Sequence, residues 1–146
     1  MKKIGILGGG VWGSALAKLL SNHKILIYAR DKKIVESINN KKLNPKLKST
    51  AFNENVKATL EIEKLQNADY LFVALPVQNI GDVLKQYSTK NEDQQIVIGS
   101  KGIEIGSKLF VKDLVKKLIK TKKINILSGP CFSHEVAQNL PTAVTF

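Results

Sequence analysis

The chain has 146 residues, 43% of them hydrophobic and 24% charged, with a formal net charge of +11. That length fits one domain with a sizeable core, and the balance is ordinary for a soluble globular protein. No apolar run reaches the roughly 20 residues that a membrane-spanning helix needs, and the single cysteine, Cys131, excludes an internal disulfide and fits a reducing cytoplasm.

The apolar run Ile4-Gly5-Ile6-Leu7 predicts a first strand. Gly8, Gly10 and Gly13 follow at G-x-G-x-x-G spacing, and Val11, Trp12, Ala15, Leu16, Leu19 and Leu20 then recur with helical periodicity. In a dinucleotide site Gly8 makes the tight turn, Gly10 lets the backbone approach a pyrophosphate, and Gly13 lets the helix pack on the strand. The pyrophosphate then rests on free N–H groups at the helix N-terminus. The rival is an ordinary tight strand-to-helix turn; the strand before and the helix after favour the dinucleotide site. Lys2-Lys3, residues 4–11 and Ala15-Leu16-Ala17 imitate a secretory leader. That alternative leaves the glycine spacing and the second strand unexplained, so the N-terminus is expected to be retained.

Residues 24–29 predict a second strand and 32–39 a helix. Residues 40–55 are polar and Lys-rich, with Pro45, and read as a loop or crossover. A short strand at 56–59 and one helical turn at 62–65 precede the clearest buried strand, 70–75, closed by Pro76. A helix over 79–87, a strand over 95–99 and a helix over 107–119 follow. Residues 124–127 predict another strand, ended by Ser128-Gly129-Pro130. A short helix at 133–138 and a further strand at 143–146 complete the pattern. Repeats, low-complexity segments and linkers are absent. The alternation predicts one α/β domain: a Rossmann-type doubly wound, mostly parallel sheet with helices on both faces.

In such sheets ligands bind beyond the carboxyl ends of the strands, and the unusual residues of this chain fall there repeatedly. Arg30, the only arginine among 23 basic residues, follows the second strand. An NAD-specific site usually has an acidic residue here, whereas arginine pairs with a 2′-phosphate or stacks on adenine. Asp31 can still reach a ribose, so NADPH and NADH both stay open. Lys101, between Ser100 and Gly102, could bind a phosphate or lie near the nicotinamide end of the cofactor. Gly129-Pro130-Cys131 forms a rigid turn whose backbone N–H groups could receive an anion. Cys131 has only His134 as a conceivable base, and a lone cysteine near a lone histidine is more often structural. His23 reads as a loop residue, and no cluster has metal-ligand spacing.

The charge also invites a nucleic-acid reading. The lysines, among them Lys32, Lys33, Lys41, Lys42, Lys46, Lys48, Lys116, Lys117, Lys120, Lys122 and Lys123, are scattered, and none sits in a recognition motif with interleaved aromatics. They would equally steer small anions. Nucleic acid and membrane are therefore not expected as partners.

Taken together, Gly8-Gly9-Gly10-Val11-Trp12-Gly13-Ser14-Ala15-Leu16-Ala17, Tyr28-Ala29-Arg30-Asp31, Ala68-Asp69 and Ser100-Lys101-Gly102-Ile103-Glu104 resemble one family along the whole chain. Ser128-Gly129-Pro130-Cys131-Phe132, Glu135-Val136-Ala137 and Pro141-Thr142-Ala143-Val144 extend the match. The family is the bacterial-type NAD(P)-dependent sn-glycerol-3-phosphate dehydrogenases. The resemblance implies reversible NAD(P)H-dependent reduction of dihydroxyacetone phosphate, for phospholipid synthesis in the cytoplasm. It implies that Val11, Trp12, Arg30 and Ser133 contact the cofactor, NADPH or NADH. Lys101 would touch cofactor and substrate, and Gly129 and Cys131 the substrate side.

The family usually has Ser or Thr where Cys131 stands and Ala where Ser133 stands. Its Tyr-Leu-Pro segment is represented by Leu43-Asn44-Pro45, which weakens that cofactor contact. Family members run to roughly twice this length, with a helical second domain that carries the proton-transferring lysine. The expectation is therefore a cofactor-binding half that is inactive alone, with a separately encoded C-terminal half or a homodimer as possible partners. A non-catalytic dinucleotide module or split-gene remnant is the alternative. A ketopantoate-type dehydrogenase shares the fold but fits the lysine–glycine motif less well.

Overall fold

The computed structural model describes residues 1–47, 50–119, 121 and 123–145. Six strands form a single sheet: β1 (Lys3–Leu7), β2 (Lys24–Tyr28), β3 (Val56–Thr59), β4 (Tyr70–Val73), β5 (Gln95–Ile98) and β6 (Ile124–Ile126). Their order is β3-β2-β1-β4-β5-β6, and every pairing is parallel. This is the doubly wound arrangement of the Rossmann fold, whose strand order reverses between β1 and β4. A crevice therefore opens at their carboxyl ends.

The alternation of each strand decides which face receives which helix. Ile4, Ile6, Ile25, Ile27, Val56 and Phe72 point to one side. They meet Leu16 and Ala17 of α1 (Val11–Leu19) and Ile34, Val35 and Ile38 of α2 (Lys32–Lys41). Leu7, Tyr28, Leu71, Val73, Ile96 and Ile98 point to the other side. There they meet Ile80, Val83 and Leu84 of α3 (Val77–Leu84) and Leu114 and Val115 of α4 (Val111–Leu118). The crossover from β3 to β4 contributes one 3-10 turn, Ile62–Leu65, whose two buried residues complete this layer. A short helix, α5 (Ser133–Ala137), packs against α1 through Val136 and Ala137.

Most elements shift at an end by one to three residues from the sequence expectation, α3 for instance ending at Leu84 and not at 87, and three differences have clear local causes. The third α-helix begins at Val77 and not at 79, because Pro76 at its N-cap already holds φ −54° and its missing N–H costs the first turn nothing. The helix expected from 107 begins only at Val111. The Glu104 carboxylate accepts N–H bonds from Gly106 and Ser107 and fixes a turn there. Lys108, at φ 58°, then breaks any helical continuation. The strand expected at 143–146 is reduced to one antiparallel bridge between Ser128 and Thr145, and residue 146 lies outside the described residues.

Two turn glycines are fixed by packing. Gly8 has φ +124°, and a Cβ there would strike the Ala74 carbonyl oxygen. A Cβ on Gly13 would strike the Gly8 carbonyl oxygen and lie 3.2 Å from Ile6 Cγ2. Gly13→Ala is therefore expected to lower stability by about 3 kcal/mol or more, the upper end for overpacking. A urea or thermal midpoint within error of the parent would contradict this geometry.

Candidate functional site

The hydrogen-bond ladder runs to the last residue of each central strand, which fixes the positions of the turns beyond. Gly8 N–H donates to Tyr28 O at 3.0 Å, Ala74 N–H to Leu7 O at 2.9 Å, and Gly99 N–H to Val73 O at 2.9 Å. At Gly10 the chain enters α1 with φ −81°, and no side chain caps the helix. Among the described residues, nothing beyond its immediate chain neighbours and the backbone of its own helix lies within 4 Å of where a Gly10 Cβ would be. The uncapped N-terminus of α1 thus borders open space at Gly10, the arrangement that receives an anion.

That space belongs to a cavity of about 330 Å³ at the β1/β4 switch point. It is lined by Gly8, Gly9, Gly10, Tyr28, Ala29, Arg30, Asp31, Ile34, Lys46, Ala74, Leu75, Pro76 and Asn79. Gly8, Gly10 and Arg30, singled out from the sequence, meet here. The Asp31 carboxylate accepts the Lys33 N–H at 2.9 Å as the N-cap of α2. It holds the helix as well as facing the cavity. No hydrogen bond or ion pair among the described residues engages the Arg30 side chain.

Lys101 stands apart, beyond β5. The buried Ser100 hydroxyl lies 2.6 Å from Leu75 O and 3.1 Å from Val73 O, so it pins the end of β5 to the end of β4. Gly102, at φ +113°, turns the chain sharply afterwards. Lys101 is left exposed, its Nζ donating to Gly129 O at 3.4 Å across 28 residues of sequence. Ser100, Lys101, Gly102 and Ser128 line a second cavity of about 430 Å³. Gly129 is a glycine for a local reason: a Cβ would strike the Ala143 carbonyl oxygen of the returning segment.

The remaining sequence candidates lie along the α1–α5 contact. Val11 is exposed, and Ser133 is half-buried at the start of α5. Trp12 packs among Ala15, Leu47, Val136 and Ala137. Its Nε1 is buried with no hydrogen-bond partner among the described residues, against Gly99, where a Cβ would come within 2.7 Å. Cys131 packs against the same apolar group, and the His134 ring stacks on Phe132 at 5.8 Å between centroids. The cysteine is a packing residue in this arrangement, and its Sγ lies 3.8 Å from Gly129 O. Among the described residues no three His, Cys, Asp or Glu side chains gather as metal ligands, and no helix is long and apolar enough to cross a membrane.

Asn44, met in the sequence only as part of the divergent Leu43-Asn44-Pro45 segment, has a structural role that its local sequence does not reveal. It is 1% exposed, donates to Gly9 O at 3.0 Å and to Ser14 Oγ at 2.6 Å, and accepts the Lys46 N–H at 2.9 Å. Residues 44–46 are thereby tied to the glycine turn. An Asn-Pro dipeptide is a turn signal, but its long-range partners carry no local signature.

A parallel sheet in this order, with an uncapped helix aimed into a crevice at the switch point, defines a dinucleotide-binding α/β domain. The family model described as the NAD-dependent glycerol-3-phosphate dehydrogenase N-terminus matches residues 3–146, and the chain belongs to that family, whose cofactor is NAD(P). It is 40% identical over 146 residues to glycerol-3-phosphate dehydrogenase [NAD(P)+] of Erythrobacter litoralis (strain HTCC2594), covering 98% of this chain and 44% of that one. The enzyme of the same name from Zymomonas mobilis is 38% identical over 144 residues, covering 97% of this chain and 42% of that one. The crystal structure of glycerol-3-phosphate dehydrogenase from Coxiella burnetii superposes with a TM-score of 0.89 at 28% identity, covering 98% of this chain and 45% of the other. The chain thus spans a little under half the length of these relatives.

The segment after Lys101 yields a pH prediction. Hydrogen bonds from the Ser107 hydroxyl, then from the Ser107 and Gly106 N–H groups, hold the Glu104 carboxyl below its usual range. A depressed folded value means that this contribution is present above the unfolded pKa and is lost as pH falls through the folded one. The amide resonances of Gly106 and Ser107 should titrate with a midpoint below the ordinary glutamate value of about 4.3. A midpoint at or above that value would remove Glu104 as the organiser of this loop.

Proposed function

We propose that this chain is the cofactor-binding half of an sn-glycerol-3-phosphate dehydrogenase, which reversibly reduces dihydroxyacetone phosphate with NADPH or NADH. The observation that carries this reading is the uncapped N-terminus of α1 facing the switch-point cavity, with Gly10 open toward it. Gly8, Gly10 and Gly13 shape the pyrophosphate seat, with Val11 and Trp12 in the first turn beside it. Arg30 holds the adenosine end, and Ser133 contacts the cofactor from α5. Lys101 reaches both cofactor and substrate, and Gly129 and Cys131 border the substrate.

The nicotinamide, when bound, supplies or accepts the hydride at C2 of the substrate. What this chain supplies is binding, orientation and positive charge for the substrate phosphate. The alkoxide that develops at C2 must take a proton from a positioned acid. Lys101 is an exposed ammonium at the crevice edge and serves here as a helper. The principal acid and most phosphate ligands are assigned to a helical C-terminal half, on the same or a separate polypeptide, since the relatives are more than twice as long. The single cysteine fits a reducing cytoplasm as the setting.

Calorimetric titration at physiological salt should give saturable binding of NADPH or NADH. Gly10→Ala should weaken it about 10-fold or more, the effect of losing close backbone approach to the pyrophosphate, while the unfolding midpoint stays put. Absence of binding to the parent chain would sink the proposal. Reduction of dihydroxyacetone phosphate by the 146-residue chain should be negligible, and mixing with a C-terminal half of a relative should restore it. Binding without restoration would favour a non-catalytic dinucleotide module.

A further inference from the structure

The switch-point cavity has a third charged wall besides Arg30 and Asp31, and it comes from a distant segment: Lys46. The chain holds this lysine in a built turn. Leu47 N–H donates to Asn44 O at 2.9 Å, closing a β-turn over Asn44-Pro45-Lys46-Leu47. Asparagine at the first position and proline at the second are what such a turn favours. The Asn44 side chain adds a second closure by accepting the Lys46 N–H at 2.9 Å.

The turn is also anchored at both ends. Asn44 uses both amide hydrogens on Gly9 O and on Ser14 Oγ, and Ser14 is itself fully buried. Leu47 is 4% exposed among Ala15, Val136 and Ala137. Lys46 lies between these two buried anchors, so its Cα is fixed relative to the glycine turn even though its side chain is exposed. A surface lysine without function needs no such support.

The charges around this end of the cavity are uneven. Arg30 and Lys46 face it with no ion-pair partner among the described residues. The Asp31 carboxylate is partly committed to the α2 N-cap, and Lys32 and Lys33 follow it directly. A site for an unmodified ribose wants a free carboxylate to accept from its hydroxyls, whereas a 2′-phosphate wants cations. Arginine offers a planar fork and lysine a mobile point charge, a suitable pair for a phosphate that carries close to two negative charges.

We infer that Lys46 is a specificity-determining residue. With Arg30 it forms a two-cation seat for the 2′-phosphate of NADPH, held in place by the buried Asn44 turn. This rests on the dinucleotide reading above and goes beyond it by naming the preferred cofactor and a residue that selects it.

The test is a set of titrations of the chain with NADPH, NADH, adenosine 2′,5′-bisphosphate and adenosine 5′-monophosphate at physiological salt. The parent should bind each 2′-phosphorylated compound about 10-fold or more tightly than its partner, the scale of one charge-assisted contact. Lys46→Gln should remove most of that ratio by weakening NADPH, with NADH changed less than about twofold, and Lys46→Arg should retain it. Pro45→Gly, which keeps the ammonium but loosens the turn, should lower the ratio partially. Lys116→Gln, on the exposed side of α4, controls for net charge and should leave the ratio unchanged. Equal losses for both nucleotides in Lys46→Gln would overturn the inference and leave the dinucleotide site standing. So would a parent that prefers NADH. A parent that binds none of the four overturns the underlying reading as well.

Discussion

The approach of α1 to the end of β1 is the constraint on which the rest of the molecule depends. Gly13 rides directly on the Gly8 carbonyl, and Gly8 turns with a positive φ against the Ala74 carbonyl. Any side chain at either position would push α1 off the sheet. Because α1 cannot move, its uncapped N-terminus borders the crevice between β1 and β4 at Gly10, and Leu16 and Ala17 reach the core. The same helix offers Ala15 to α5 and to Leu47, so the terminal segment and the long loop after α2 are both referenced to it. Gly10 is the contrasting case. A Cβ there would meet nothing among the described residues, and what the missing side chain spares is room in the cavity.

A second device recurs around the sheet edge. A polar residue is spent on holding backbone, and a cation stands immediately beside it. Asp31 caps α2 next to Arg30. Asn44 closes a turn and grips the glycine loop two residues before Lys46. Ser100 staples β5 to β4 and is followed by Lys101. Long basic side chains lose rotamer freedom when they engage a ligand, at up to about 2 kcal/mol each. Fixing the backbone beneath them limits the further cost of ordering the loop. The buried polar atoms of Asn44 and Ser100 are hydrogen-bonded, so their burial does not destabilise the fold.

The strands, the parallel sheet and the glycine turn were legible because each is encoded locally. Apolar runs of four or five residues, glycines at fixed spacing and periodic helices suffice for that. The sequence misled where a side chain competes with backbone hydrogen bonding and where a long-range backbone contact overrides local composition. Glu104 captures two amides and delays α4, and nothing in the periodicity of 107–119 reveals it. The residues 143–145 have strand-like composition but are returned against Ser128, and Gly129 makes room for that close approach. Arg30 and Lys101 could be singled out by their place after strands. Lys46 could not, since it sits in a Lys-rich loop and only the partners of Asn44, 30 and 35 residues away, explain its placement.

Each of the two cavities is lined by two cations and one carboxylate, and what differs is the backbone around them, which bears on what the domain can do alone. On the proposed function, the uncapped helix, Arg30 and Lys46 at the switch point hold the pyrophosphate and adenosine end of the dinucleotide, the part that changes least during hydride transfer. Interactions with that part hold ground state and transition state equally and therefore contribute binding without acceleration. Beyond β5 and β6, where a reacting carbon would lie, the chain offers Lys101 tethered to Gly129 and a half-buried thiol. Neither is the poised acid that a developing alkoxide requires. On the proposed function the domain holds cofactor, and the groups whose interaction must strengthen in the transition state are those assigned above to a C-terminal half.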